Sequence, residues 1–253
     1  MIIIEALIVG LAVGAVLGLV GAGGAVLAVP AFLYLFDFAA LQATTASLAV
    51  VAAAAGFGAI PRFRLGQVRL RQAMLFWVLG VAGTFAGTRI APAVPESALV
   101  AGFALVMVGA AIAMWRKGSS PEPSGSQASS LWLTLVVATG VGLLTGIFGV
   151  GGGFLIVPAL VLVFGFPFGV AAGTSLVIIA LNSVTALVFR ADTWQDIPWQ
   201  LPLIVIAGGL VGSLLASRVN LAISQRLLER AFAGLLVLLA AWMVVEATLL
   251  RGQ

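Results

Sequence analysis

GLVGAGGAVLAVP at residues 18–30 returns as GIFGVGGGFLIVP at residues 146–158, the same glycine-rich element twice at an offset of 128 residues. Gly18, Gly21, Gly23, Gly24, Leu27, Val29 and Pro30 recur as Gly146, Gly149, Gly151, Gly152, Leu155, Val157 and Pro158. Apolar composition alone does not produce that order. Glycine-broken apolar segments at corresponding places in two halves of a chain are the sequence pointer to a transporter's midplane site.

The sequence around the two copies belongs in a membrane. Of 253 residues, 62% are hydrophobic and 8% charged, where a water-soluble domain carries about 25% charge. The charge-free runs 6–36, 38–61, 72–88, 97–115, 130–189 and 197–217 are each near or beyond the roughly 17–25 residues that cross a bilayer. A last apolar run, 231–245, extends into 247–250 beyond Glu246. The start, MIIIEALIVG, carries an acidic residue and no basic lead-in, so it is expected to be a retained first helix rather than a cleaved signal.

The repeat extends past the glycines. Thr45-Ala46-Ser47-Leu48 aligns with Gly173-Thr174-Ser175-Leu176, and GTFAGTR at 83–89 aligns with GSLLASR at 212–218 after a one-residue shift. Between the halves lies RKGSSPEPSGSQAS at 116–129, a Pro, Gly and Ser stretch that cannot pack a core and reads as an exposed linker. The expectation is an all-α polytopic membrane protein of about eight transmembrane helices in two homologous four-helix repeats, 1–115 and 130–253, with glycine-broken first helices. Arg62, Arg64, Arg69, Arg71, Arg116, Lys117, Arg190 and Arg251 then share one side, and the positive-inside rule puts both termini in the cytoplasm. A competing count makes 6–36 a hairpin with its tip at 21–25. An odd number of crossings per half would then invert the second half relative to the first.

Several chemistries drop out at once. Without cysteine or histidine there is no disulfide, no thiolate, no zinc or haem ligation of the usual kind and no imidazole base. No cofactor is expected, and an intramembrane enzyme fits least. GAGGA and GVGGG lack the Gly-Lys-Ser or Gly-Lys-Thr of a nucleotide loop, so transport would be passive or driven by a gradient. The basic residues, all arginine but Lys117, are scattered at span ends. That is where orientation signals lie, and nucleic acid is not an expected partner.

An unwound glycine stretch at membrane depth is tolerated where it is buried in protein or lines a wet cavity. Helices that restart after it aim free N–H groups and positive ends at the break, which suits an anion. Gly21, Gly23, Gly24 and Ala25, with Gly149, Gly151, Gly152 and Gly153, are therefore candidate substrate contacts, against the alternative of close helix packing by small residues. Thr44, Thr45 and Ser47, echoed by Thr174 and Ser175, add hydroxyls that could equally cap or bond back to their own helices. Asn182 is an amide deep in an uncharged run; its repeat counterpart is Ala54, so it serves as an asymmetric contact or as interhelical glue. Arg89 and Arg218 recur at equivalent positions but lie at helix ends, where arginines snorkel. Glu5, Asp37 and Glu246 flank apolar runs rather than interrupt them, so no proton relay is visible.

The ordered set of GLVGAGGAVLAVP, TTASL, GTFAGTRIA, GIFGVGGGFLIVP, GTSL and GSLLASRVN resembles the TauE/SafE sulfite exporter family of membrane permeases over nearly the whole chain. The resemblance implies a bacterial inner-membrane permease of two homologous units that moves small anions such as sulfite, sulfonates or related sulfur compounds. It carries the glycine and Thr/Ser positions named above over as substrate-path elements. Ala25 where the second half has Gly153, and Thr45 where it has Gly173, break strict symmetry. The expected partners are a small anionic substrate and the lipid bilayer, and a homo-oligomer is compatible with the sequence. The alternatives are an anion channel with the same path and a non-transporting membrane partner protein whose glycines serve packing.

Overall fold

The computed structural model describes residues 2–21, 24–117, 131–148, 153–162 and 164–219, together with 227, 230, 231, 234, 237, 238, 241 and 242. Among the described residues every regular element is a helix. In chain order these are α1 (Ile2–Val20), α2 (Gly24–Pro30) running into a π-helical turn (Ala31–Leu35), α3 (Ala40–Arg64), α4 (Leu70–Ile90) and α5 (Glu96–Lys117). The second half continues with α6 (Leu131–Phe148), α7 (Gly153–Leu162), α8 (Phe168–Phe189) and α9 (Gln200–Val219). Among the described residues four stretches, Ile2–Val20, Ala40–Arg64, Leu70–Ala93 and Phe168–Phe189, are long and apolar enough to cross a membrane. Trp132–Phe148 and Gln200–Ala216 are shorter apolar helices. Most of the linker lies outside the described residues, and α5 takes in its first two residues, Arg116 and Lys117.

The halves interlock instead of packing side by side. The first helix of each half packs chiefly on the third long helix of the other, α1 on α9 and α4 on α6. Glycine makes both seams. A Cβ at Gly10 would fall on Val205 and Gly208, at Gly14 on Gly209, and at Gly18 on Ser213 and Ala216. In the other seam a Cβ at Gly83 would fall on Thr139 and Leu143, and at Gly87 on Leu143 and Gly146. Backbones come this close only where side chains are absent, which is how helices associate where no hydrophobic drive separates them from lipid. Residue numbers rise together along both seams, so each pair is parallel.

The second long helices, α3 and α8, run antiparallel. Arg190 at the end of α8 bonds Thr44 and Thr45 at the start of α3, while Gln67, just past the end of α3, fills the space beside Gly173. The end of α1 meets the end of α3 through Arg62, and the end of α6 meets the end of α8 through Arg190. The structure departs here from the expected four-span repeat, which would bring the end of α1 to the start of α3. The physical reason is at Gly21: its φ of +71° ends α1, and the chain folds back so that Gly24 packs on Val13 and Leu17 of the helix it has just left. The two halves therefore run in opposite senses, the geometry of the hairpin alternative.

The outer surface is apolar. Ile4 on α1, Val78 on α4, Leu105 on α5, Trp132 on α6 and Leu203 on α9 are all more than half exposed. So broad an oily belt is foreign to water-soluble monomers, whereas hydrocarbon accepts it freely. Inside, α3 and α8 carry more than half of the buried polar residues described, among them Thr44, Thr45, Ser47, Thr174, Ser175, Asn182 and Ser183.

Candidate functional site

Polar groups inside this bundle gather at three levels along α8. The first is where α1 ends. Gly21 donates its N–H to the Leu17 carbonyl at 2.8 Å, and the Gly18 and Leu19 carbonyls of the last turn of α1 accept from a side chain of α3. The Arg62 guanidinium, from the last turn of α3, supplies them: Nη2 donates to both oxygens at 3.1 Å, and Nη1 donates to Gln67 Oε1 at 2.7 Å. The single hydroxyl hydrogen of Ser175 is shared between the Gly21 carbonyl at 2.5 Å and the Ala172 carbonyl at 2.8 Å. The hydroxyl of Thr174 accepts the backbone N–H of Arg69 at 3.0 Å.

The third level, at the far end of α8, repeats the first with the halves exchanged. Arg190 Nη2 donates to the carbonyls of Gly146 and Ile147, the latter at 3.2 Å. Its Nη1 donates to Thr44 Oγ1 at 2.7 Å and Thr45 Oγ1 at 3.2 Å. Both threonines pass their own hydroxyl hydrogens to the Leu41 carbonyl. Ser47 bonds back to Ala43 at 2.7 Å and takes no part in the cluster. A guanidinium on the carbonyl end of a helix is favourable twice over, as donor and as opposite pole to the helix dipole.

Halfway between lie Asn182 and Ser183. Asn182 is 1% exposed, and both its side-chain nitrogen and oxygen lack partners, as does Ser183 Oγ. At 1.5 Å of helix per residue, they stand about 10–12 Å from each polar end. The Ser213 hydroxyl reaches the same level from α9 and donates to the carbonyl of Ala54, Asn182's repeat counterpart, at 3.0 Å.

The structure thus joins Thr44 and Thr45 to the end of α6 and Ser175 to Gly21, and sets Asn182 apart between the two groups. Gly24 serves packing against α1, and Ala25 and Gly153 lie in α2 and α7. Gly23, Gly149, Gly151 and Gly152 lie outside the described residues. The ends of α1 and α6 sit at opposite ends of α8, about 20 Å apart, rather than face to face at one point. In the sequence Arg62 and Arg190 read by default as orientation signals at span ends. Their separation equals the glycine-motif offset of 128 residues, and that was the available signal. Arg89, by contrast, is exposed, with its guanidinium 5.3 Å from the Phe85 ring centroid; the side chain of Arg218 is outside the described set.

Residues 6–243 match the family model described as sulfite exporter TauE/SafE. A "Probable membrane transporter protein" of Xylella fastidiosa (strain 9a5c) is 34% identical over 92% of this chain and 91% of its own length. The Bacillus subtilis "Probable membrane transporter protein YunE" is 24% identical over 94% and 96%. A "Probable membrane transporter protein MJ0441" of Methanocaldococcus jannaschii is 41% identical over 27% of each chain. No solved structure matches the chain.

Proposed function

The chain belongs to the TauE/SafE sulfite exporter family of membrane transporters, and from that premise we propose that it is a secondary transporter of a small anion, of the class of sulfite or an organosulfonate. The substrate passes along α8 between two inverted halves, 1–115 and 130–253. The observation that carries this reading is Asn182. Each buried polar group left unpaired costs about 1–3 kcal/mol, and intramembrane polar residues mark substrate paths. Asn182 and Ser183 offer amide and hydroxyl donors to an oxyanion, and being neutral they can release it again. The hydroxyls of Thr44, Thr45 and Ser175, with the glycine-rich ends of α1 and α6, line the approach from either side. The glycines at 23, 149 and 151–153 belong to the same path in this reading, whereas Ser47 serves its own helix and Gly24 the packing on α1.

The protein resides in the inner membrane. Arg62, Arg64, Arg69 and Arg71 around the α3–α4 turn, and Arg116 and Lys117 at the end of α5, fall at one end of the inverted arrangement. The positive-inside rule makes that end cytoplasmic. It then puts the amino terminus on the outer side, which revises the cytoplasmic termini of the eight-span count.

Uptake of radiolabelled sulfite into proteoliposomes tests the function. Wild-type protein is expected to show saturable uptake that is accelerated by unlabelled sulfite on the other side. Asn182→Ala should lower uptake about tenfold or more, the effect of losing one or two polar contacts, while the variant still inserts and elutes as wild type. Unchanged uptake would remove Asn182 from the path. Saturation without acceleration from the far side would replace the carrier by a channel.

A further inference from the structure

We infer that Arg62 and Arg190 form two equivalent oxyanion-reading latches, one at each end of the path, in which an arriving anion competes with helix-end carbonyls for the guanidinium. This rests on the transport reading above. The two arginines occupy equivalent repeat positions and are 3% and 2% exposed. Each donates Nη2 to the same pair of carbonyls in its own half, Gly18 and Leu19 or Gly146 and Ile147. Each gives Nη1 to side-chain oxygens, of Gln67 or of Thr44 and Thr45. In both, Nε is buried with no partner.

Capping a helix end accounts for the two Nη groups and leaves Nε unexplained. A lysine would cap as well, since its ammonium carries three donors and no further N–H to strand. What arginine adds is an edge: Nε–H and one Nη–H point the same way and match two oxygens of a carboxylate, sulfite or sulfonate. Among the described residues neither guanidinium forms an ion pair with a carboxylate. The exposed Asp192 acts on Arg190 only through space. Two permanent cations are thus held inside the bundle with the Nε–H of each free for an anion.

The edge shares Nη2 with the helix carbonyls. An oxyanion that takes Nε and Nη2 therefore loosens α1 from α3 at one end, or α6 from α8 at the other. The arginines stand about 20 Å apart along α8, too far for one small anion to engage both. Engagement alternates, and each latch opens the end at which the anion sits.

The test pairs titration calorimetry with proteoliposome flux, using sulfite, sulfate, thiosulfate and sulfoacetate as probes on wild type, Arg62→Lys, Arg190→Lys and Thr139→Val. The lysine variants keep the cap and lose the edge. Each is expected to weaken binding about tenfold or more, the effect of one charge-assisted bond, and to raise KM with it. Thr139→Val breaks a bond from α6 to the Leu79 carbonyl of α4 that neither guanidinium shares, and should lower the melting temperature with affinity unchanged. Lysine variants that bind within about twofold of wild type, while wild type binds and carries the anion, overturn the latches and leave the transport reading standing. If wild type neither binds nor carries any of the four, the transport reading falls and takes the latches with it. Should a lysine variant not fold, the exchange-protected Nε–H signals of 15N-arginine-labelled wild type decide. They shift on titration if the edge receives the anion, and stay fixed if it does not.

Discussion

Two glycines with left-handed backbone separate what a residue's conformation requires from what its neighbours require. Gly21 has φ +71° and Gly66 φ +67°; a Cβ at Gly21 would fall on Ala172, while at Gly66 nothing lies within 4 Å. Gly66→Ala should therefore cost only the left-handed penalty of about 1–2 kcal/mol. Gly21→Ala should cost that plus about 1–3 kcal/mol of overlap. Melting temperatures in detergent check the order, and equal losses would show that Ala172 yields freely. The sequence named Gly21, the hydroxyls and Asn182 as residues of interest, because a glycine pattern and an amide in an apolar run stand out from their surroundings. Arg62 and Arg190 do not stand out: an arginine at the end of a span looks the same whether it faces water or turns inward to carbonyls. Only the partner, some 43–44 residues away in chain, distinguishes the two.

At the scale of helices, the glycine seams decide assembly. On α6, Gly142 lies under the Gly80 carbonyl, whereas Gly140, two positions earlier, has open space around it. Gly142→Leu should part α6 from α4 and cost about 3 kcal/mol or more, read as loss of monodisperse protein on size exclusion. Gly140→Leu should purify as wild type, since its side chain meets lipid. Equal recovery of both would mean that the seam adjusts. The small-residue spacing on 10, 14 and 18 and on 208 and 212 was legible as a packing stripe. Its partner was not, because two stripes of glycine and alanine carry no mark saying which meets which, and here each meets a helix of the other half.

For the molecule as a whole, the direction of the halves is the feature that sequence alone left open. A charge-free run from 6 to 36 suits a kinked helix or a hairpin equally, and charge bias favours neither; the contacts of Arg62 and Arg190 separate the two. Absence of cysteine makes the orientation directly measurable, since any introduced thiol reports alone. With Ile3→Cys and Ser124→Cys, a membrane-impermeant maleimide should label the two from opposite sides of the membrane. Labelling from one side would restore four crossings per half. The interlocked seams also set a timetable for synthesis. Gly10 must wait for Gly208, so α1 stays in the bilayer without its partner for roughly ten to forty seconds of elongation. A nascent chain in that interval offers bare glycine stripes to any passing helix, and a second copy's α9 would serve as well as its own. Crowded expression should therefore yield exchanged dimers, and a chain severed in the linker should still assemble from its two pieces.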